Sequence, residues 1–274
     1  MSRPLRLGLV QMDAVLGDVK SNLERALEYV REAREREVDL LCFPELFSTG
    51  YNPALLGERY YSLAEPVSGP TIQRLARAAR ENGMHIIAPI VLEKSMPGVI
   101  YNAAVMLAGD GKVLGSFSKA HLIMSERLYF RAGDEFPVFD TDLGKIGIMI
   151  CYDAGFPEVA RVLALGGAEV VLAPCAFRKP DKQMWDIYFK ARALENTFFV
   201  AATNRVGHEG DLHLFGTAVV SNPAGCLIAE SPEDEENLLV VAIDLDEVRT
   251  RRARIPFLRD RRPGLYGALL ESGK

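Results

Sequence analysis

Short, continuous apolar runs alternate along this chain with longer segments whose apolar positions recur at helical spacing. "LRLGLVQM" (5–12) predicts a first buried strand. "SNLERALEYVREARERE" (21–37) predicts a helix, with Leu23, Ala26, Leu27, Val30 and Ala33 on one face and Ser21 and Glu24 at capping-box spacing. "VDLLCFPE" (38–45) predicts a second strand, ended by Pro44. "PTIQRLARAARENG" (70–83) predicts a helix with Pro70 at its start and Gly83 past its end. Three further strands follow in "HIIAPIVLE", "YNAAVMLAG" and "KVLGSFSK", the last two joined by the hairpin signal Asp110-Gly111.

The second half keeps this rhythm. Strands are predicted over 145–151, 168–177 and 197–207, and helices over 157–167 and 182–196. A hairpin is predicted over 216–231 around Asn222-Pro223-Ala224-Gly225, and a strand running into a helix over 237–250. No stretch reads as a linker. Continuous rather than alternating apolar strands imply sheets covered on both faces. The expected fold is one α/β domain over 1–274: two sheets packed strand against strand, with helices outside.

Composition narrows the function classes. The 274 residues carry a net charge of -5. That argues against nucleic acid as a partner. The basic cluster "RTRRARIPFLRDRRP" (249–263) reads as a solvated or interface helix. No apolar run has the length of a membrane span, and the N-terminus lacks a signal peptide's apolar region, so a cytoplasmic location is expected. Cys42, Cys151, Cys175 and Cys226 follow no CxxC pattern, and the four histidines show no ligand spacing; free thiols, no metal and no cofactor are expected.

"IGIMICYDAGFPE" (146–158) puts Cys151 where a strand ends, shortly before Pro157 opens a helix. A side chain at such a turn projects from the sheet edge, the arrangement of a nucleophile elbow. Backbone N–H groups of the turn would favour thiolate and a neighbouring oxyanion. From this stretch alone, a small buried hydrophobe and a nucleophile are both open readings. "LLCFPELF" places Glu45 after a buried strand, where poor solvation raises a carboxyl pKa and suits it to general-base work. "GSFSKAHL" places Lys119 at a comparable strand end, where an ammonium would stabilise an oxyanion and depress a thiol pKa. His121 is the alternative base, and a Cys-His acyltransferase or protease is the rival reading.

"FPELF", "SKAHL" and "CYDAGFPE", in that order, resemble the Glu-Lys-Cys motifs of the nitrilase superfamily of carbon–nitrogen hydrolases, and the resemblance covers nearly the whole chain. It implies an αββα sandwich whose subunits pair as αββααββα, with the segment at about 250–274 at a subunit interface. It implies Glu45 as general base, Lys119 as oxyanion stabiliser, Cys151 as nucleophile and Glu126 as a fourth residue that holds the lysine. The Tyr152 N–H would complete the oxyanion hole, and Asp153 would be structural.

Within that family, nitrilases usually carry Trp-Glu after the cysteine; Tyr152-Asp153 here disfavours nitriles. Members acting on acid-bearing amides often carry an arginine where this chain has Ala154-Gly155. The expectation is a small-molecule carboxamide or N-carbamoyl amine, neutral or cationic, hydrolysed through a thioester by a homodimer or larger even-numbered assembly. Arg178 is the one residue placed to reach in and reverse that preference. The expected pocket residues are Tyr51, Tyr129, Ala154, Gly155 and Phe177, whereas Trp185 and Tyr188 read as core at helical spacing.

Overall fold

The computed structural model describes residues 2–271. In chain order the strands are β1 (Pro4–Gln11), β2 (Leu40–Cys42), β3 (His85–Glu93), β4 (Ile100–Leu107), β5 (Val113–Ser118), β6 (Val138–Thr141), β7 (Gly144–Ile148), β8 (Val170–Cys175), β9 (Phe199–Asn204), β10 (Val206–Glu209), β11 (Leu212–Phe215), β12 (Val219–Ser221), β13 (Leu227–Glu230) and β14 (Asn237–Asp244). The helices are α1 (Val19–Glu35), α2 (Pro53–Leu56), α3 (Arg59–Leu63), α4 (Pro70–Asn82), α5 (Pro157–Leu165), α6 (Lys182–Asn196) and α7 (Asp246–Arg254).

Two six-stranded sheets result, in the orders β14-β1-β2-β3-β4-β5 and β13-β12-β9-β8-β7-β6. The side-chain period of two divides their faces. Leu7, Leu9, Leu40, Cys42 and Ile87 point between the sheets, where they meet Ile146, Ile148, Val170 and Leu172. Leu41, Ile86 and Ala88 point the other way, onto α1 and α4 through Leu23, Ala26, Val30, Ile72 and Leu75. On the outer face of the second sheet, α5 and α6 bury Val159, Leu163, Phe189 and Ala193. The layers are helix, sheet, sheet, helix, as expected.

The expected boundaries shift where local chemistry decides. Helix α1 begins earlier than the capping-box reading placed it. Asp18 is the cap: its carboxylate accepts from the Ser21 backbone N–H at 3.1 Å and from the Ser21 hydroxyl at 2.8 Å. Glu24 turns outward to Arg74, 2.7 Å away. Helix α4 ends on Gly83 at φ +62°, the left-handed stop anticipated for it. Strand β2 keeps only Leu40–Cys42 of its predicted run, because the chain turns away before Pro44. The short strand β6 and the hairpin β10-β11 were not foreseen; both lie in mixed sequence without a clear period.

Strands β1, β2 and β3 run parallel, β4 runs against them, and β5 runs against β4. The C-terminal ends of β2 and β5 therefore share one edge of the sheet with the start of β4. That edge brings Glu45, Lys119 and Asn102 together.

Candidate active site

The groups assemble as follows. Lys119 and Glu45 are fully buried, and Lys119 Nζ lies 2.8 Å from Glu45 Oε1. The same ammonium lies 2.7 Å from Oε1 of buried Glu126. Asn102 Nδ2 donates to Glu45 Oε1 at 2.7 Å and approaches Glu126 Oε1 at 3.4 Å. Glu126 Oε2 accepts from the Ile123 backbone N–H at 2.9 Å. Three groups thus fix the two carboxylates, but among the described residues Glu45 Oε2 is buried without a hydrogen-bond partner. Such an atom costs stability in a structural site. It faces a chemical role or a substrate hydrogen atom more readily than a packing role.

Cys151 opens a 3-10 turn, Cys151–Gly155, and adopts φ +49°. Left-handed backbone at a residue with a Cβ costs about 1–2 kcal/mol. The turn is held from outside: Asp153 Oδ2 accepts from Ile150 N–H at 3.1 Å, and Asp153 Oδ1 accepts from His121 N–H at 3.0 Å. His121 Nδ1 also lies 2.8 Å from Asp153 Oδ1, and its ring stacks on Phe156 at 3.7 Å between centroids. His121 and Asp153 therefore tie the Cys151 turn to the segment after Lys119. At the first turn of a helix the N–H groups lack intrahelical acceptors, which leaves them available to a ligand.

The electrostatics revise one expectation. Lys119 pulls the Cys151 thiol pKa down, but burial, a hydrogen bond with the Cys175 thiol and the charge of Glu45 together push it well above the ordinary thiol value. Burial thus opposes ionisation of the Cys151 thiol. Burial raises Glu45 as well, with Lys119 opposing. Lys119 itself is held well above the ordinary lysine value: burial works against its charge, but Glu126 and Glu45 outweigh it. The ammonium is permanent.

Contact between Cys151 and Cys175 follows from register. Strands β7 and β8 pair Ile146 with Val170 and Ile148 with Leu172, and the same offset carried on sets Cys151 beside Cys175. Nothing in the sequence pattern singled out Cys175 for this position.

A cleft of about 430 Å³ opens over Cys151 and Tyr152. Tyr51 and Phe177 line it, as does Arg178. Tyr129, Ala154 and Gly155, also expected there, are not on its wall. Tyr129 packs sideways on Tyr60, 6.3 Å between ring centroids. Ala154 is fully buried, and its carbonyl and that of Gly155 accept from the Arg192 guanidinium at 2.9 and 3.2 Å. The Tyr188 ring closes over Gly155. The space expected from two small residues is thus occupied by α6. Trp185 is core as read, packed at 4.6 Å on Phe189, but Tyr188 lines the cleft with Met184 of the same helix.

Other contributors escaped the sequence reading. Tyr51 N–H donates to both carboxylate oxygens of buried Glu209, at 3.0 and 2.8 Å, and Arg205 pairs with Glu209 at 2.7 Å. This anchor positions the Tyr51 ring, whose centroid is 5.6 Å from Lys119 Nζ. A Cβ at Gly50 (φ +82°) would stand 2.8 Å from Glu209 Oε1, so the loop needs glycine there. Asn102 had a visible signal, a polar residue inside an apolar strand, which went unused.

Comparison with known proteins gives the family. Residues 6–253 match the carbon-nitrogen hydrolase family. A probable nitrilase of Schizosaccharomyces pombe is 35% identical over 96% of this chain and 98% of its own. An N-carbamoylputrescine amidase of Solanum tuberosum is 32% identical over 94% of this chain and 92% of its own. The fold matches a mutant amidase of Nesterenkonia sp. AN1 carrying the acetamide moiety of fluoroacetamide on its active-site cysteine. That match has a TM-score of 0.83 and 29% identity over 97% of each chain. With a cysteine on the cleft wall and a buried ammonium held between two buried carboxylates, the chain belongs to the carbon-nitrogen hydrolase family and is a hydrolase of non-peptide carbon–nitrogen bonds.

Proposed function

We propose that the protein hydrolyses small uncharged carboxamides or N-carbamoyl amines, with Cys151 as nucleophile, Glu45 as general base, Lys119 and the Tyr152 N–H as oxyanion donors, and Glu126 and Asn102 as positioning residues. The observation that carries this reading is the unpartnered Glu45 Oε2 at a site where burial pushes the Cys151 thiol pKa up. A base with one free oxygen and a thiol with a proton to lose are complementary.

The steps balance without a cofactor. Glu45 Oε2 takes the thiol proton as the Cys151 sulfur bonds to the amide carbon, and the carbonyl oxygen becomes an oxyanion between Lys119 and the Tyr152 N–H. As the tetrahedral adduct collapses, Glu45 returns the proton to the leaving nitrogen. Ammonia departs and a thioester remains. Glu45 then deprotonates water, which attacks the thioester; the sulfur leaves and recovers its proton from Glu45.

We further propose that the protein self-associates through its C-terminal segment, of which residues 272–274 lie outside the described residues. Leu265, Leu269 and Leu270 are 65, 67 and 91% exposed there. Apolar side chains so placed favour burial against a second copy.

The test is ammonia release from aliphatic and aromatic amides, N-carbamoyl amines, N-carbamoyl amino acids and matched nitriles, with Cys151→Ala as control. Release from amides or carbamoyl amines that is lost in the control supports the reading. Release from nitriles in preference to the matched amides overturns it.

A further inference from the structure

We propose that Asp181 sets the charge selectivity of the cleft by occupying Arg178, so that amides ending in a single carboxylate are excluded in favour of uncharged ones. This rests on the amide-hydrolysis reading above. Arg178 and Asp181 both stand on the cleft wall. Asp181 Oδ2 accepts from Arg178 Nε and Nη2, each at 2.8 Å. The backbone closes the same turn, with Asp181 N–H donating to the Arg178 carbonyl at 2.9 Å. The pair is thus built into the loop between β8 and α6, and its side chains are only 33 and 22% exposed.

Arg178 alone would be a carboxylate anchor, since its guanidinium fork suits that group. Beside Asp181 it is not. The other nearby cations are occupied too. Lys119 is shared by Glu45 and Glu126, and Lys179 pairs with Glu233 and Asp234. Lys182 pairs with Asp186 at 3.1 Å, and Arg192 with Glu195 at 3.0 Å. An entering carboxylate must either compete with Asp181 for the Nε–Nη2 edge of Arg178 or take the remaining Nη1 with that acid's like charge beside it. An uncharged chain instead meets Tyr51, Met184, Tyr188 and Leu212 and disturbs no ion pair. Selectivity here comes from a repulsive element set against one class of substrate.

The experiment compares glutaramate with 5-methylhexanamide, in which an isopropyl group replaces the carboxylate. The wild-type kcat/KM should favour the uncharged amide by about tenfold or more. Asp181→Asn should raise the glutaramate-to-5-methylhexanamide ratio by about tenfold or more, and adding Arg178→Met should cancel that gain. A wild type that prefers glutaramate overturns the proposal without any variant, and so does a ratio that moves by less than about twofold in Asp181→Asn. Absence of both ammonia release and a Cys151 thioester with either amide, the thioester read by mass spectrometry, overturns the amide-hydrolysis reading and the proposal with it. That outcome is distinct from turnover at an unchanged ratio.

Discussion

The ammonium of Lys119 lies 2.8 Å from Oε1 of Glu45, and Oε2 of the same carboxylate has no partner. One oxygen is fixed by the ammonium while the other is left unpartnered, as the proposed base role requires. Position and reactivity are thus divided between the two atoms of one carboxylate, and several measurements follow from that division.

The pH profile should be one-sided. The base must be ionised, and burial raises Glu45 above its ordinary value. Activity is therefore lost as pH falls through a point higher than the usual carboxylate range of about 4.3. Lys119 is held well above the ordinary lysine value, so no loss is expected as pH rises through about 10. A kcat/KM profile with an acid limb at or below about 4 contradicts the base assignment.

Replacing the base should separate folding from chemistry. Glu45→Gln keeps an oxygen for Lys119 and Asn102 but cannot take the thiol proton. Acylation of Cys151 should slow by about 10³-fold or more, with a near-native circular dichroism spectrum. His121→Ala should still acylate. The opposite pattern would favour a histidine-dependent mechanism.

Removal of the shared cation should be costly in stability. Lys119→Met leaves Glu45 and Glu126 buried beside each other without it, and the expected loss is about 3–5 kcal/mol by urea denaturation at pH 7. The Glu45 pKa of the folded variant, already raised by burial, would then lose the opposing charge of Lys119 and lie further above its unfolded value. Part of the loss should return as pH falls and the carboxyls protonate. A variant as stable as wild type at pH 7 would show that the pair of acids does not depend on the lysine.

Cys175 should tune the nucleophile. Burial is the largest reason for the raised Cys151 pKa, and the hydrogen bond with Cys175 is the second. Cys175→Ala should move the pH dependence of Cys151 alkylation downward without bringing it to the value of a free thiol, because burial remains. An unmoved profile would show that the thiol contact has no effect on reactivity.

Self-association should depend on the C-terminal leucines. Leu269→Asp places a charge on a side chain that is 67% exposed in the single chain. It should shift the sedimentation of the protein toward the monomer. An unchanged sedimentation coefficient would place the interface elsewhere.

Much of this was legible from residue order because strand ends and proline positions constrain the backbone strongly. Glu45 after β2, Lys119 after β5 and Cys151 before Pro157 are local facts, and each lies where its motif put it. What depends on non-local packing was not legible. Ala154 and Gly155 suggested an open space, but Arg192 and Tyr188 come in from a helix far along the chain to fill it. The sign of the Cys151 shift depended on burial and on Cys175, a neighbour set by strand register rather than by sequence proximity. The positive φ of Cys151 is likewise a property of the held turn, since no residue type announces it.

Strand β1 lies between β2 and β14, pairing Pro4 with Asp244 and Gln11 with Asn237. Strand β1 must therefore wait during synthesis for β14, more than 200 residues later in the chain. Until residues 237–244 emerge, the sheet that carries Glu45 and Lys119 has an open, strongly apolar edge next to its second strand. Contacts of such large sequence separation fold slowly and expose the nascent chain to edge-to-edge association. Premature termination between the cysteine and β14 would thus release a polypeptide that contains every proposed catalytic side chain and has the edge of an aggregating sheet.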